Sequence, residues 1–180
     1  MPNRLDPKVS ATDNVRVTKY DMTAVRERVP EWDRLSRAER VTALKACEPQ
    51  HTGRSSNVTC NALHEYLAFV LTLDPDQGDD IDAPAEIAFG DDDTAFDETD
   101  TQLNSEVGNR ISITTRDVTA NEFTVDELLG ENEQNGNTLR ELGIFSDSGE
   151  LYQHAPTDQV YEKDSSFSLL ISIQIPINDA

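Results

Sequence analysis

From Phe167 to Ile177 every second residue is large and apolar: Phe167, Leu169, Ile171, Ile173, Ile175 and Ile177. Helices bring like residues together at steps of three and four, so a period of two sustained over this length demands a strand with one face buried. Ser168, Ser172 and Gln174 occupy the other face, which is expected to be wet, as in an antiparallel sheet packed on one side. The same period recurs in Ile87 and Phe89 before Gly90, in Ile111 and Ile113 after Arg110, and in Phe123 and Val125. Asn135-Gly136 and Ser146-Asp-Ser-Gly149 supply turn chemistry between such runs. An antiparallel β-sandwich of six or seven short strands over residues 85–180 is the expectation.

Upstream the pattern is helical. Asp21 or Thr23 can cap a helix over Ala24–Val29 that Pro30 ends, and Ser36-Arg-Ala-Glu39 is a capping box opening a second helix with Ala38, Val41 and Leu44 on one face. Gln50 to Asn57, with Gly53 and two serines, reads as a loop. Thr59 can cap a third helix whose Leu63, Tyr66, Leu67, Val70 and Leu71 form an amphipathic stripe. Residues 1–20 show no helical period and read as an extended arm. The fold class expected is therefore α+β: an arm and small helical anchoring region over 1–73, an acidic Pro/Gly-punctuated linker over 74–84, and the sandwich over 85–180.

Charge follows the same division. Residues 1–70 carry 11 basic and 9 acidic side chains, whereas 71–180 carry 4 and 26, for a net charge of −20 overall. The near-neutral part suits burial against a partner and the acidic part suits exposure. The basic set is 11 Arg to 4 Lys. An acid-rich, Lys-poor surface fits molar salt, where the screening length falls to about 3 Å and self-repulsion is suppressed. No apolar run approaches the roughly 18–20 residues of a membrane span, and Met1 to Ser10 lacks a signal-peptide core, so neither a membrane nor that export route is expected. Arg26, Arg28, Arg34, Arg37 and Arg40 alternate with Glu27, Glu31, Asp33 and Glu39. That mixture points to a salt-bridged helix surface or protein interface rather than to nucleic acid.

Chemistry-bearing patterns are few. Cys47, His51, Cys60 and His64 lie within 18 residues as two Cys-x-x-x-His pairs. Such a Cys₂His₂ set can hold a structural zinc with no open coordination position, the alternatives being buried thiols, a disulfide or coincidence. The acid clusters Asp74–Asp82, Asp91–Asp93 and Asp97–Asp100 lack the ligand ladder of a calcium loop and read as solvated surface. No nucleophile elbow, zinc-protease pair, Walker loop or dinucleotide fingerprint is visible, and His154 stands alone. No catalytic or cofactor-binding residue is expected.

Several elements occur in one order: Ile87-Ala-Phe-Gly90; Asp100-Thr101, Leu103, Glu106 and Arg110; Asn135-Gly136 followed by Leu139-Arg140-Glu141, Gly143-Ile144-Phe145; then Gly149, Leu151-Tyr152, and Lys163 before the closing strand. In this the chain, over about residues 61–177, resembles a family of tailed-bacteriophage tail-fibre and baseplate-associated domains. The region up to Ser56 has no counterpart in that pattern. Together with the composition, the resemblance implies a non-enzymatic structural protein of a tailed virus of a salt-loving archaeon, assembled in the host cytoplasm and resident in the virion tail. It implies a virion component more firmly than a tail fibre as such. Its partners would be tail, baseplate or neck proteins and further copies of itself. The rival readings are a receptor-binding module for host-surface glycans and a zinc-stabilised neck or head adaptor. In the motifs, Glu106 and Arg110 are spaced for an ion pair on a helical turn, and Gly90 and Gly143 suit tight or bulged backbone.

Overall fold

The computed structural model describes residues 15–65, 83–119 and 122–176. Its elements run β1 (Val15–Asp21), α1 (Met22–Arg28), a 3-10 turn (Trp32–Arg34), α2 (Arg37–Lys45), β2 (His51–Ser55), β3 (Val58–Thr59) and β4 (Pro84–Gly90). They continue with β5 (Glu106–Ser112), β6 (Arg116–Thr119), β7 (Glu122–Leu129), β8 (Thr138–Ser146), β9 (Leu151–Glu162) and β10 (Phe167–Pro176). Two five-stranded sheets result, β2-β1-β10-β7-β6 and β3-β9-β8-β4-β5. Every pairing in them is antiparallel. The protein is thus an antiparallel β-sandwich with a small helical part.

The sandwich interior is built from the alternating residues. Leu169, Ile171 and Ile173 of β10, Val125 and Leu129 of β7, Ile87 and Phe89 of β4, and Leu142 and Ile144 of β8 share one buried cluster. Each such side chain contributes about 1.5–3 kcal/mol by leaving water. The Asn135-Gly136 and Ser146–Gly149 turns form, with Gly136 at φ 88° and Gly149 at φ 92°, a left-handed backbone that glycine adopts without steric cost.

The first departure from expectation is at the N-terminus. Residues 15–20 are not an arm; they lie in β1, where Val15 and Val17 are each 1% exposed in the core. The short Val-x-Val alternation suffices because β10 and β2 supply hydrogen-bonding edges on both sides. Gln50–Asn57 is likewise largely strand rather than loop. β2 has no apolar residue, yet as an edge strand it needs only backbone partners. Gly53 is required there because a Cβ would lie 1.8 Å from the Asp158 carboxylate of β9. Residues 1–73 therefore contribute strands to both sheets. Of the expected linker, only 83 and 84 fall among the described residues, and Pro84 opens β4, the strand position where its missing N–H costs least. Tyr66, Leu67, Val70 and Leu71 lie outside the described residues, as do 1–14 and Ile177; 61–65 form the helical turn in which Leu63 is buried.

Both helices keep their sequence caps. The Asp21 carboxylate accepts from the Thr23 and Ala24 amides at 2.8 and 3.1 Å, and Ser36 and Glu39 form the full capping box. They close over the outer face of the first sheet. There Trp32, Met22, Val25, Val41 and Leu44 bury Tyr20, Leu128 and Leu170. This overturns the expectation of a wet second face over the first half of β10, where Ser168 is fully buried and Leu170 is 4% exposed; Ser172 and Gln174 farther along remain partly exposed.

Candidate functional site

The outer face of the second sheet is covered differently, by the irregular segment 91–105. That segment is held in shape by its own acids. Asp92 accepts from the amide and hydroxyl of Thr94, and Asp97 from those of Thr99, at 2.5–2.9 Å. The Thr99 hydrogen bonds keep the Asp97 carboxyl below its usual range. Leu103 enters a small apolar cluster with Cys60, Ala88, Phe145 and Leu151. Asn61 N–H donates to the Glu98 carbonyl at 2.8 Å, which ties the turn at 61–65 to the same segment.

Beneath it lies His154 of β9, fully buried. Its Nε2 stands 2.5 Å from Glu141 Oε2 of β8, also fully buried, and its Nδ1 stands 3.1 Å from Asp100 Oδ2. The Phe96 ring lies 3.8 Å from the imidazole, centre to centre. Glu141 further accepts from the Asn104 amide at 3.1 Å and the Ser105 amide at 2.8 Å. The carboxylate thus joins β8 and β9 to the C-terminal end of the covering segment. A buried charged group is tolerable only when its lone pairs are met in this way.

The strand ladder explains why these residues meet. Gly143 pairs with His154 and Gly90 with Glu141, so both functional side chains project from one face beside residues that lack one. A Cβ on Gly90 would sit 2.1 Å from Glu141 Oε1, and one on Gly143 would sit 2.7 Å from Leu151 and 2.8 Å from Leu103. Neither glycine has a positive φ. The strand register is irregular beside both, between Ile87 and Phe89 and between Ile144 and Phe145, and the missing side chains leave room for their neighbours. Glu106 and Arg110 do pair, through two contacts of 2.9 Å, but on β5 rather than on a helical turn, with Gly108 at φ 66° between them. The Arg110 guanidinium also lies 3.6 Å over the Phe145 ring.

The four expected zinc ligands are not brought together. Cys47 follows α2 and packs against the helical cluster, while Cys60 is buried in the cluster over the second sheet. His51 stands on the edge strand β2 with its Nε2 2.6 Å from Asp158 Oδ2, and His64 is exposed on the 61–65 turn. Strand pairing separates the two halves of the motif. Among the described residues no group of three or more His, Cys, Asp or Glu is arranged to hold a metal ion. Burial, reinforced by Asp100 and Asp97, pushes the Cys60 thiol up to about 12, so it persists as an unreactive thiol beside the histidine. An imidazole between two carboxylates can orient and share protons. Here its contacts, with those of Glu141, fasten segment 91–105 to the sheet.

On the opposite face two of the interleaved arginines, Arg26 and Arg37, are salt-bridged, and Arg40 donates to the Trp32 and Asp33 carbonyls. Arg26 contacts Glu131 and Asp33, Lys45 reaches Asp126 at 2.7 Å, and Arg37 reaches Glu127 at 2.5 Å and Glu133 at 2.8 Å. A cleft of about 230 Å³ beside Trp32 is lined by Arg37, Arg40, Glu131 and Ser168. Among the described residues no helix is long and apolar enough to cross a membrane. Sequence reading missed the Asp100–His154–Glu141 cluster. The one available signal was an acid, Glu141, directly before the apolar stretch Leu142–Phe145 of β8. No family model matches the chain, and no curated protein or solved structure matches it.

Proposed function

We propose that this chain is a structural component of the virion of a tailed virus living in high salt, acting as a rigid building block of the tail, baseplate or neck. The observation that supports the reading is the fate of the residues that carry the tail-fibre-like pattern. Asp100, Glu141, Gly90 and Gly143 converge on the attachment of segment 91–105, Glu106 and Arg110 pair on an edge strand, and Asn135 and Lys163 meet across two turns. Residues of a working catalytic centre are expected to leave a reactive group facing a substrate-sized space; these are engaged with one another. The acidic surface keeps such a block soluble in brine, and self-association into a symmetric ring or sleeve is the assembly proposed.

Immunogold labelling of tailed particles from a high-salt culture, with antibody against this chain, tests the reading. Label at one fixed position on the tail is the expected result. Absence of the chain from purified particles, by labelling and by peptide mass spectrometry, would overturn it.

A further inference from the structure

At the end of the sandwich where β7 turns into β8 and β9 into β10 lies a lysine almost without water. Lys163 is 2% exposed. Its carbonyl accepts from Gly136 N–H at 2.8 Å and its N–H donates to the Asn137 carbonyl at 2.9 Å, so the two turns are fastened together. Its Nζ meets the Asp164 carbonyl at 2.6 Å, Asn135 Oδ1 at 3.1 Å and the Glu131 carbonyl at 3.4 Å, and lies 5.0 Å over the Phe167 ring. None of these oxygens belongs to a carboxylate, so among the described residues an ammonium here has no counter-ion in contact. Burial brings the amine down to about 8, against the opposing pull of Asp164, Glu133 and Glu131. A useful share of it is therefore the neutral, nucleophilic form near neutral pH.

Asn135 is held at both ends of its amide: Oδ1 accepts from Lys163, and Nδ2 donates to the Glu131 carbonyl at 2.9 Å. The amide is thus held at its oxygen and its nitrogen, with the amine in hydrogen-bond contact with its oxygen, a proximity of the kind that speeds intramolecular reactions. Asn135 itself is exposed, so a small leaving group has an open exit.

We propose that Lys163 and Asn135 become joined by an isopeptide bond between Nζ and Cγ, sealing this end of the sandwich. The neutral Nζ adds to Cγ, a proton passes from Nζ to Nδ2, and the Cγ–Nδ2 bond breaks to release ammonia. Amine and amide become a substituted amide and ammonia, with no change of oxidation state and no other reactant. The Glu131 main-chain carbonyl accepts from both nitrogens, at 3.4 Å from Nζ and 2.9 Å from Nδ2, and so holds the proton donor and the leaving group side by side. The bond would cross-link turns far apart in sequence and so restrict the unfolded chain. The proposal stands independently of the virion reading.

Intact-mass spectrometry of the purified, unfolded full chain decides it. The expected mass is lower than the sequence mass by one ammonia, with a peptide pair joined through 135 and 163 after digestion. Lys163→Met and Asn135→Ala should restore the full mass. Asn135→Ala alters an exposed turn and should keep the fold, checked by circular dichroism. A wild-type chain at full sequence mass overturns the proposal. So does a loss of ammonia that persists in Lys163→Met, which would mark a succinimide between Asn135 and Gly136 instead.

Discussion

The two outer faces of the sandwich are covered by opposite means. Over the first sheet lie two capped helices and an apolar layer centred on Trp32, with Arg37 reaching past the open end of β7 to Glu127. Over the second lies segment 91–105, without regular structure, whose apolar contribution is small and whose anchor is the buried Asp100–His154–Glu141 set. Each sheet has one fully buried glutamate among the described residues. Glu127 is an inward-pointing acid at a strand edge, where it accepts from the Thr114 amide and hydroxyl and the Leu128 amide at 2.6, 2.8 and 3.0 Å. Glu141 binds the cover itself. Apolar burial holds the helices whatever the charge state, whereas the loop depends on a few satisfied polar contacts that fail together.

That contrast can be broken from either side. The largest effect expected is Trp32→Ala, a loss of about 3–5 kcal/mol in denaturant unfolding, with the helical face loosened and 91–105 unaffected. His154→Leu follows, at about 3 kcal/mol, because Glu141 is left buried beside a group that cannot answer it. A cycle with Glu141→Gln should show coupling of about 0.5–3 kcal/mol. Gly90→Ala should cost about 1–3 kcal/mol, since the new methyl must displace the Glu141 carboxylate, and proteolysis within 91–105 should report it. Ser36→Ala, which removes only a helix cap, should cost about 1 kcal/mol and leave the second face untouched.

The Cys60 thiol gives a pH signature of the second face. Its proton is held in the folded state up to about 12, against 9.0 for the ordinary thiol. Above about pH 9 the unfolded chain binds fewer protons than the folded one, so this thiol's contribution to stability falls as pH rises through that window. Stability measured from pH 8 to 10.5 should decline less steeply in Cys60→Ala than in the wild type. Equal slopes would place the thiol in a wetter setting than the fold gives it.

Much of the architecture was legible because it rests on local signals. Strand β10 announces itself by period, α2 by its capping box, and the β8–β9 turn by Gly149. Strand β2 was not legible, since His-Thr-Gly-Arg-Ser has no apolar alternation and is strand only because β1 offers it an edge. The wet face assigned to the first half of β10 failed for a related reason: Leu170 signals burial, but only the placement of α1 and α2 shows what covers it. The zinc set failed because nearness in sequence was read as nearness in space. The histidine cluster was hidden for the converse reason. Glu141 and His154 meet through a register interrupted at Leu139/Glu141 and again at Ile144/Phe145, which no spacing rule anticipates.

Amide hydrogen exchange on His154→Leu, compared segment by segment with the wild type, tests most directly whether the cluster serves as an anchor. A loss of about 3 kcal/mol at tenfold per about 1.4 kcal/mol should speed exchange across 91–105 by roughly a hundredfold while α2 keeps its wild-type protection. Unchanged protection over 91–105 would contradict the account, because the cluster would then hold nothing in place and would need another purpose.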